Sequence, residues 1–135
     1  MESLFAKFIA HVQADGCYSK KTNAIRYFNK DLNLITQFNE MVMGIFGIKP
    51  WKTHKAKTSY ETGFRNKNIC ALLFGFKFGS IDWEVPGFVK NGSEKVKSGY
   101  LQAFFDDEGS IVFRKRKWGF DREVKMMLIN KNGLF

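Results

Sequence analysis

The sequence predicts an α+β fold in which helices alternate with antiparallel β-hairpins. Three observations carry this. Apolar residues recur at helical spacing in several segments, short runs between polar turns follow them, and the order helix, acid, glycine, hairpin occurs twice. At 135 residues and 15.6 kDa there is room for one ordinary domain, or for two small half-domains sharing a core. A hydrophobic content of 44%, with 15 Phe, supplies that core and argues against an intrinsically disordered chain.

Taken in order, Leu4, Phe5, Phe8, Ile9 and Val12 keep helical period and stop at Asp15-Gly16, so a first helix is expected over residues 2–14. Gly16 is expected to end it in the left-handed conformation that glycine tolerates. Cys17–Lys20 and Ala24–Lys30 flank the polar turn Lys21-Thr22-Asn23, which predicts a hairpin. From Leu32 the positions Leu34, Ile35, Phe38, Met41, Val42, Ile45 and Phe46 return to helical period and end before Gly47. Trp51–Arg65 alternates weakly and is rich in Lys and Thr, as suits a second hairpin with one face turned outward. Asn66–Phe78 reads as a third helix capped by Asn66 or Asn68, and Ile81–Gly92, with Pro86-Gly87, reads as a connector. Ser93 caps a fourth helix carrying Val96, Tyr100, Leu101, Phe104 and Phe105, which stops at Glu108-Gly109. Ser110–Phe113 and Val124–Ile129 then form a third hairpin. The expected division is a first half-domain over residues 1–92 and the start of a second, one motif helix and one hairpin, over residues 93–135.

Charge narrows the class of partner. Against 13 Asp and Glu stand 22 Lys and Arg, leaving net +9, an excess that favours phosphate-rich partners. The longest apolar run, Ile69–Phe78, is broken by Lys77 and too short to span a bilayer, so no membrane partner is expected. Cys17 and Cys70 lie far apart and are too few for a disulfide framework, and His11 and His54 complete no ligand cluster with them. A reduced intracellular compartment fits, either a prokaryotic cytoplasm or an organelle matrix, because no export signal is visible.

The repetition is the most informative feature. Phe8-Ile9-Ala10-His11-Val12-Gln13-Ala14-Asp15-Gly16 is matched by Leu101-Gln102-Ala103-Phe104-Phe105-Asp106-Asp107-Glu108-Gly109. Tyr27-Phe28-Asn29-Lys30 is matched by Leu128-Ile129-Asn130-Lys131, so each copy puts an Asn-Lys pair at the end of its second strand. Ala6, Ala10 and Ala14 share one helix face, as do Gly99, Ala103 and Asp107, and two such narrow faces can approach closely. Packed in parallel, the two helices would bring Asp15 and Glu108 together, and the repulsion between two carboxylates is offset if divalent cations sit with them.

These two motifs resemble those of the LAGLIDADG homing endonuclease family. The acid-glycine pair stands where that family ends its core helix, and the order of elements resembles its αββαββα half, followed here by the first helix and hairpin of a second, incomplete pseudo-symmetric half. The resemblance implies a site-specific double-strand DNA endonuclease, or a fragment of one, using Mg²⁺ or Mn²⁺ with Asp15 and Glu108 as metal ligands and catalytic acids. It also places Asn29, Lys30, Asn130 and Lys131 around the cleavage centre. His11 and Gln13 depart from the family consensus, and Glu stands at 108 where Asp is usual.

In the family, hairpin ribbons lie in the major groove of double-stranded DNA and read it with alternate residues. Carried over, the contacts are Ser19, Lys21, Arg26 and Phe28 on the first hairpin, and Lys52, His54, Lys57, Ser59, Glu61 and Arg65 on the second. The third hairpin offers Arg114, Lys115, Arg116, Lys117, Arg122 and Lys125 against Asp121 and Glu123, a phosphate-facing cluster. Strand phase over Trp51–Arg65 is ambiguous. Between the two acids lie 108 − 15 = 93 positions, and 135 − 108 = 27 follow Glu108, so the second half is expected to be truncated. Completion by a separate complementary chain, completion by association of two copies, and a fragment with weak binding and poor cutting all remain open. The alternative class is a non-cleaving nucleic-acid binder of the same fold, an RNA maturase or a DNA-binding regulator.

Overall fold

The computed structural model describes residues 1–78 and 84–108, and the backbone but not the side chain of Glu108. The expected third hairpin, with Arg114, Lys115, Arg116, Lys117, Arg122, Lys125, Asn130 and Lys131, lies outside the described residues. In chain order the elements are α1 (Glu2–Asp15), β1 (Gly16–Ser19), β2 (Ala24–Asn29), α2 (Leu32–Phe46), β3 (His54–Lys55), β4 (Tyr60–Arg65), α3 (Lys67–Leu72), α4 (Gly87–Lys90) and α5 (Glu94–Glu108). The strands form one antiparallel sheet in the order β1-β2-β4-β3. The fold is the α+β arrangement that the periods predict.

Helix α1 runs into β1 with no linker. Gly16 is extended, at φ −110°, so it does not end the helix in the left-handed conformation expected from the sequence. It is needed for space: a Cβ there would lie 2.7 Å from both Cα and O of Val12 and 2.8 Å from the Arg26 carbonyl. The left-handed helix stop belongs to Gly47, at φ 68°, whose N–H bonds the Met43 carbonyl at the end of α2. Asp31 begins α2 by accepting the Asn33 N–H at 2.8 Å. Because α2 separates the two hairpins, the chain returns with β4 beside β2: Ala24 pairs with Arg65 and Asn29 with Tyr60.

Helix α3 is shorter than the expected 66–78. Asn66 supplies the cap, accepting from the Ile69 N–H at 2.9 Å, but after Leu72 the bonds tighten to Phe74 N–H with Ala71 O and Phe76 N–H with Leu73 O. Phe76 then packs its ring edge-on to Phe5 and Phe88, and Phe78 stacks on Tyr18. The expected connector contains the one-turn helix α4, started by Pro86 with its preset φ of −60° and anchored by buried Val89. Ser93 caps α5 through the Val96 N–H, as expected.

Alternation along the strands sends Ile25, Tyr27 and, from β4, Thr62 and Phe64 to the face covered by the helices. Phe8 of α1 is the hinge of this core. It is fully buried, stacks on Phe38 at 5.5 Å, meets Phe46 edge-on at 5.3 Å and approaches Phe64 at 6.4 Å. The far side of α1 is covered by α5, in the most extensive contact between any two elements. No helix among the described residues is long and apolar enough to cross a membrane, and both cysteines are free thiols. Phe8→Ala is expected to lower stability by about 3–5 kcal/mol; urea denaturation of the full chain checks this, and a loss below about 1 kcal/mol would contradict the central place given to this ring.

Candidate functional site

Helices α1 and α5 lie in parallel. At one end the Ser3 hydroxyl donates to the Lys95 carbonyl at 3.2 Å, and eight residues on in α1 His11 meets Asp107 of α5 at 2.9 Å. Small residues make this approach feasible. Ala6, Ala10 and Ala103 are buried, and a Cβ on Gly99 would come within 2.6 Å of Ser3 Oγ and 3.1 Å of its carbonyl. The seam therefore uses the small faces that the repeated motifs display, and each helix closes with its motif acid, Asp15 on α1 and Glu108 on α5.

Toward that end the seam changes from apolar to polar. Asp107 stands in the second motif where the first has Ala14, and its carboxylate is buried. Tyr27 donates its hydroxyl to Asp107 Oδ1 at 2.6 Å, and His11 Nδ1 lies 2.9 Å from Oδ2 and 3.3 Å from the Tyr27 oxygen. Burial pushes the Asp107 carboxyl above the usual carboxylate range, against the opposing influence of its His11 and Tyr27 hydrogen bonds. Burial first, and then the neighbouring Asp107 charge, push the Tyr27 hydroxyl far up, so it stays protonated and serves as a donor.

Asn29 carries this network to the motif acid. Its amide Nδ2 donates to Asp15 Oδ2 at 3.2 Å, with the Tyr27 oxygen at 3.3 Å and Asp107 Oδ1 at 3.5 Å. The other end of the amide is held as well, because Asn29 Oδ1 accepts the Asp31 N–H at 2.9 Å. Asp15 is half-buried at the helix end, while the Asp107 carboxylate is enclosed and saturated with partners. Lys30, the next residue after Asn29, is exposed.

The two departures within the first motif both prove to be seam residues. His11 is 1% and Gln13 6% exposed. Gln13 donates to the carbonyls of Lys77 at 2.9 Å and Glu84 at 2.8 Å and accepts from the Tyr100 hydroxyl of α5. Buried amide and imidazole groups are retained only when satisfied, and here every partner comes from a distant part of the chain.

The sheet's outer face collects the polar residues. Pairing puts Arg26 opposite Gly63 and Cys17, Phe28 opposite Glu61, and Glu61 opposite His54, which resolves the strand phase. Glu61 lies 3.3 Å from both Arg26 Nε and His54 Nε2. Trp51 covers Gly63, where a Cβ would meet its ring at 3.1 Å, and the Arg26 and Arg65 guanidinium groups lie 5.6 and 5.7 Å from the indole centre. Arg65 also donates to the Thr22 carbonyl at 3.0 Å. Of the other candidates, Ser19 ends β1 and accepts the Thr22 N–H; Lys21 and Lys57 are exposed in turns, Ser59 is half-buried in the β3–β4 turn, and Lys52 is exposed before β3. Sequence reasoning missed Trp51, Tyr27 and Asp107 as site residues. For Asp107 the signal was available, since an acid stands at a position that the first motif fills with alanine.

A hard-oxygen donor set of this kind suits Mg²⁺ or Mn²⁺. Such an ion is held by one or two carboxylates and completes its shell with waters and substrate phosphate oxygens. No group of three His, Cys, Asp or Glu residues able to hold a metal occurs among the described residues, so a caged site is not what they build.

Comparison with known proteins agrees with this geometry. A family model described as the LAGLIDADG-like domain matches residues 2–74, more than half of the chain. Among solved structures, the crystal structure of I-DmoI in complex with DNA and Mn is similar with a TM-score of 0.63 at 14% identity, over 96% of this chain and 77% of that one. A variant of I-DmoI in complex with its target DNA in the presence of Mg gives a TM-score of 0.63 at 14% identity over 97% and 78% of the two chains. I-DmoI with DNA and Ca gives 0.61 at 14% identity over 96% and 72%. At this identity the likeness is one of fold. No protein of curated function matches the sequence.

His11 and Asp107 form a buried pair, so their removal should be non-additive. Asp107→Ala strands His11 and the Tyr27 hydroxyl, and His11→Leu strands part of Asp107, whereas the double variant strands less. A double-mutant cycle by urea denaturation is expected to return a coupling of about 1–3 kcal/mol; strict additivity would contradict the pairing.

Proposed function

The chain belongs to the LAGLIDADG-like domain family, and from that premise we propose that it is a site-specific, metal-dependent DNA endonuclease or the part of one that carries both motif helices. The observation that carries the reading is the parallel α1–α5 seam. It ends both motif helices in an acid, with the Asn29 amide donating to the first and Lys30 following Asn29 in the chain, and the outer face of the sheet bears Arg26, Arg65 and Trp51. Neighbouring structures of I-DmoI with DNA and with Mn, Mg or Ca support the choice of partner and cofactor. The excess of positive charge agrees with a polyanionic substrate.

In this reading the outer face of the sheet lies along the major groove, where a β-ribbon fits and alternate side chains share one face. Arg26 and Arg65 flank Trp51 and present guanidinium edges to phosphate or base, and Glu61 fixes the orientation of Arg26 and His54. Asp15 and Glu108 would hold Mg²⁺ or Mn²⁺, which when bound polarises the scissile phosphate and lowers the pKa of attacking water. Asn29 holds the Asp15 carboxylate in place, and Lys30 offers a positive charge to the phosphate as negative charge develops on it. Asn130 and Lys131 would do the same for the other strand. With DNA as substrate and free thiols at Cys17 and Cys70, the proposed setting is a reducing, DNA-containing compartment.

Two outcomes test this reading. Asp15→Asn is expected to reduce cutting of a randomised duplex library in Mg²⁺ by at least about 100-fold while duplex binding, read by fluorescence anisotropy, stays within about threefold. Equal loss of both would assign Asp15 a structural role, and a wild-type chain that binds without ever cutting would leave the non-cleaving binder. Arg65→Ala is expected to weaken duplex binding and lower the slope of log K against log salt by about 1; an unchanged slope would remove Arg65 from the interface.

A further inference from the structure

Tyr27 is not among the site residues expected from the sequence, yet it sits at the centre of the polar end of the seam. Its ring is fully buried and stacks on Phe38 at 4.6 Å. Its hydroxyl donates to Asp107 at 2.6 Å and receives the Asn29 amide at 3.3 Å, and that same amide donates to Asp15 at 3.2 Å. In the run of contacts from His11 through Asp107, Tyr27 and Asn29 to Asp15, His11, Tyr27 and the Asp107 carboxylate are buried and Asn29 and Asp15 are half-buried.

We propose that Tyr27, anchored by Asp107, is a positioning residue for the Asp15 carboxylate, acting through Asn29, and that it thereby sets the affinity of the Asp15 side for a divalent cation. The inference rests on the metal-dependent reading given above. It follows from how few orientations the Asn29 amide has. Its oxygen is taken by the Asp31 N–H, so its nitrogen must point into the space bounded by Asp15, Tyr27 and Asp107. With the Tyr27 oxygen in place the amide is held on the line that serves Asp15; without it, the amide can swing to the Asp107 carboxylate and leave Asp15. A metal-binding carboxylate that is oriented by outer hydrogen bonds binds more tightly than a mobile one.

The arrangement is also one-sided. In the second motif Leu128 stands where Tyr27 stands in the first, and Ala14 stands where Asp107 does in the second. Among the described residues, a hydroxyl and a buried acid buttress the first acid through Asn29.

The test is Mn²⁺ binding to the full chain, followed by the electron paramagnetic resonance signal of free Mn²⁺, for wild type, Tyr27→Phe and Asp15→Asn. Tyr27→Phe keeps the ring and its stack on Phe38, so circular dichroism and the melting profile check that the fold is retained. The expected result is a Kd for Mn²⁺ about tenfold weaker in Tyr27→Phe, with binding lost in Asp15→Asn. Wild-type affinity in Tyr27→Phe, with binding still lost in Asp15→Asn, overturns the positioning role and leaves the metal reading intact. Binding unchanged in Asp15→Asn, or none in wild type, overturns both. Should Tyr27→Phe fail to fold, Asp107→Asn, which keeps the shape of the buried group and an acceptor for Tyr27, reads the same Kd. A weakening of about threefold or more supports the role, and no change overturns it.

Discussion

Everything in this structure depends on how closely α1 can lie against α5. Interaxial distance is set by the side chains at the contact, and here those are Ala6, Ala10, Ala103 and Gly99. A larger group at Gly99 would meet the Ser3 backbone, so the seam is fixed by size before any polar interaction is made. Once the helices are parallel and close, the last residue of each reaches the same end of the molecule. The helix that supplies half of the seam also runs without a linker into β1, which ties the sheet to it through the space that Gly16 leaves free.

Close approach has an electrostatic consequence. Near their C-terminal ends the helices bury polar groups, and each such group must find a partner or lose solvation uncompensated. His11, Gln13, Tyr27 and Asp107 solve this jointly, with Asn29 extending the same network to the half-buried Asp15. The outer sheet face solves a different problem. There the charges stay near solvent, and Trp51 gives two arginines a flat surface to lie against while Glu61 restrains one of them. One part of the molecule is thus desolvated and internally hydrogen-bonded, and the other keeps its charges nearer solvent, the division that the proposed function uses.

Legibility in the sequence follows from the range of the interactions. The helical periods of α1, α2 and α5, the first hairpin and the caps at Asn66 and Ser93 are local, and they could be read directly. So could the small faces and the repeated acid-glycine pair, because repetition encodes a long-range relation in local text. Helix α3 was overextended, since its apolar run continues to Phe78 for packing against Phe5, Phe88 and Tyr18, and packing overrides period. Gly16 was misread because a need for space and a need for left-handed backbone look alike in a sequence. The strand phase around β3 and β4 is set by the pairing of His54 with Glu61, which the weak local alternation does not encode. Tyr27 and Trp51 were invisible as site residues, being aromatics whose roles depend on neighbours from distant segments.

The most direct test of the central claim, that the α1–α5 seam creates one cation-holding end, is a crystal structure of the full chain with duplex DNA and Mn²⁺, measured at a wavelength where Mn scatters anomalously. The account predicts an anomalous peak about 2.1 Å from an Asp15 carboxylate oxygen at the end of the seam. A structure with DNA bound and the peak elsewhere, or with α1 and α5 separated at Asp15, would contradict it.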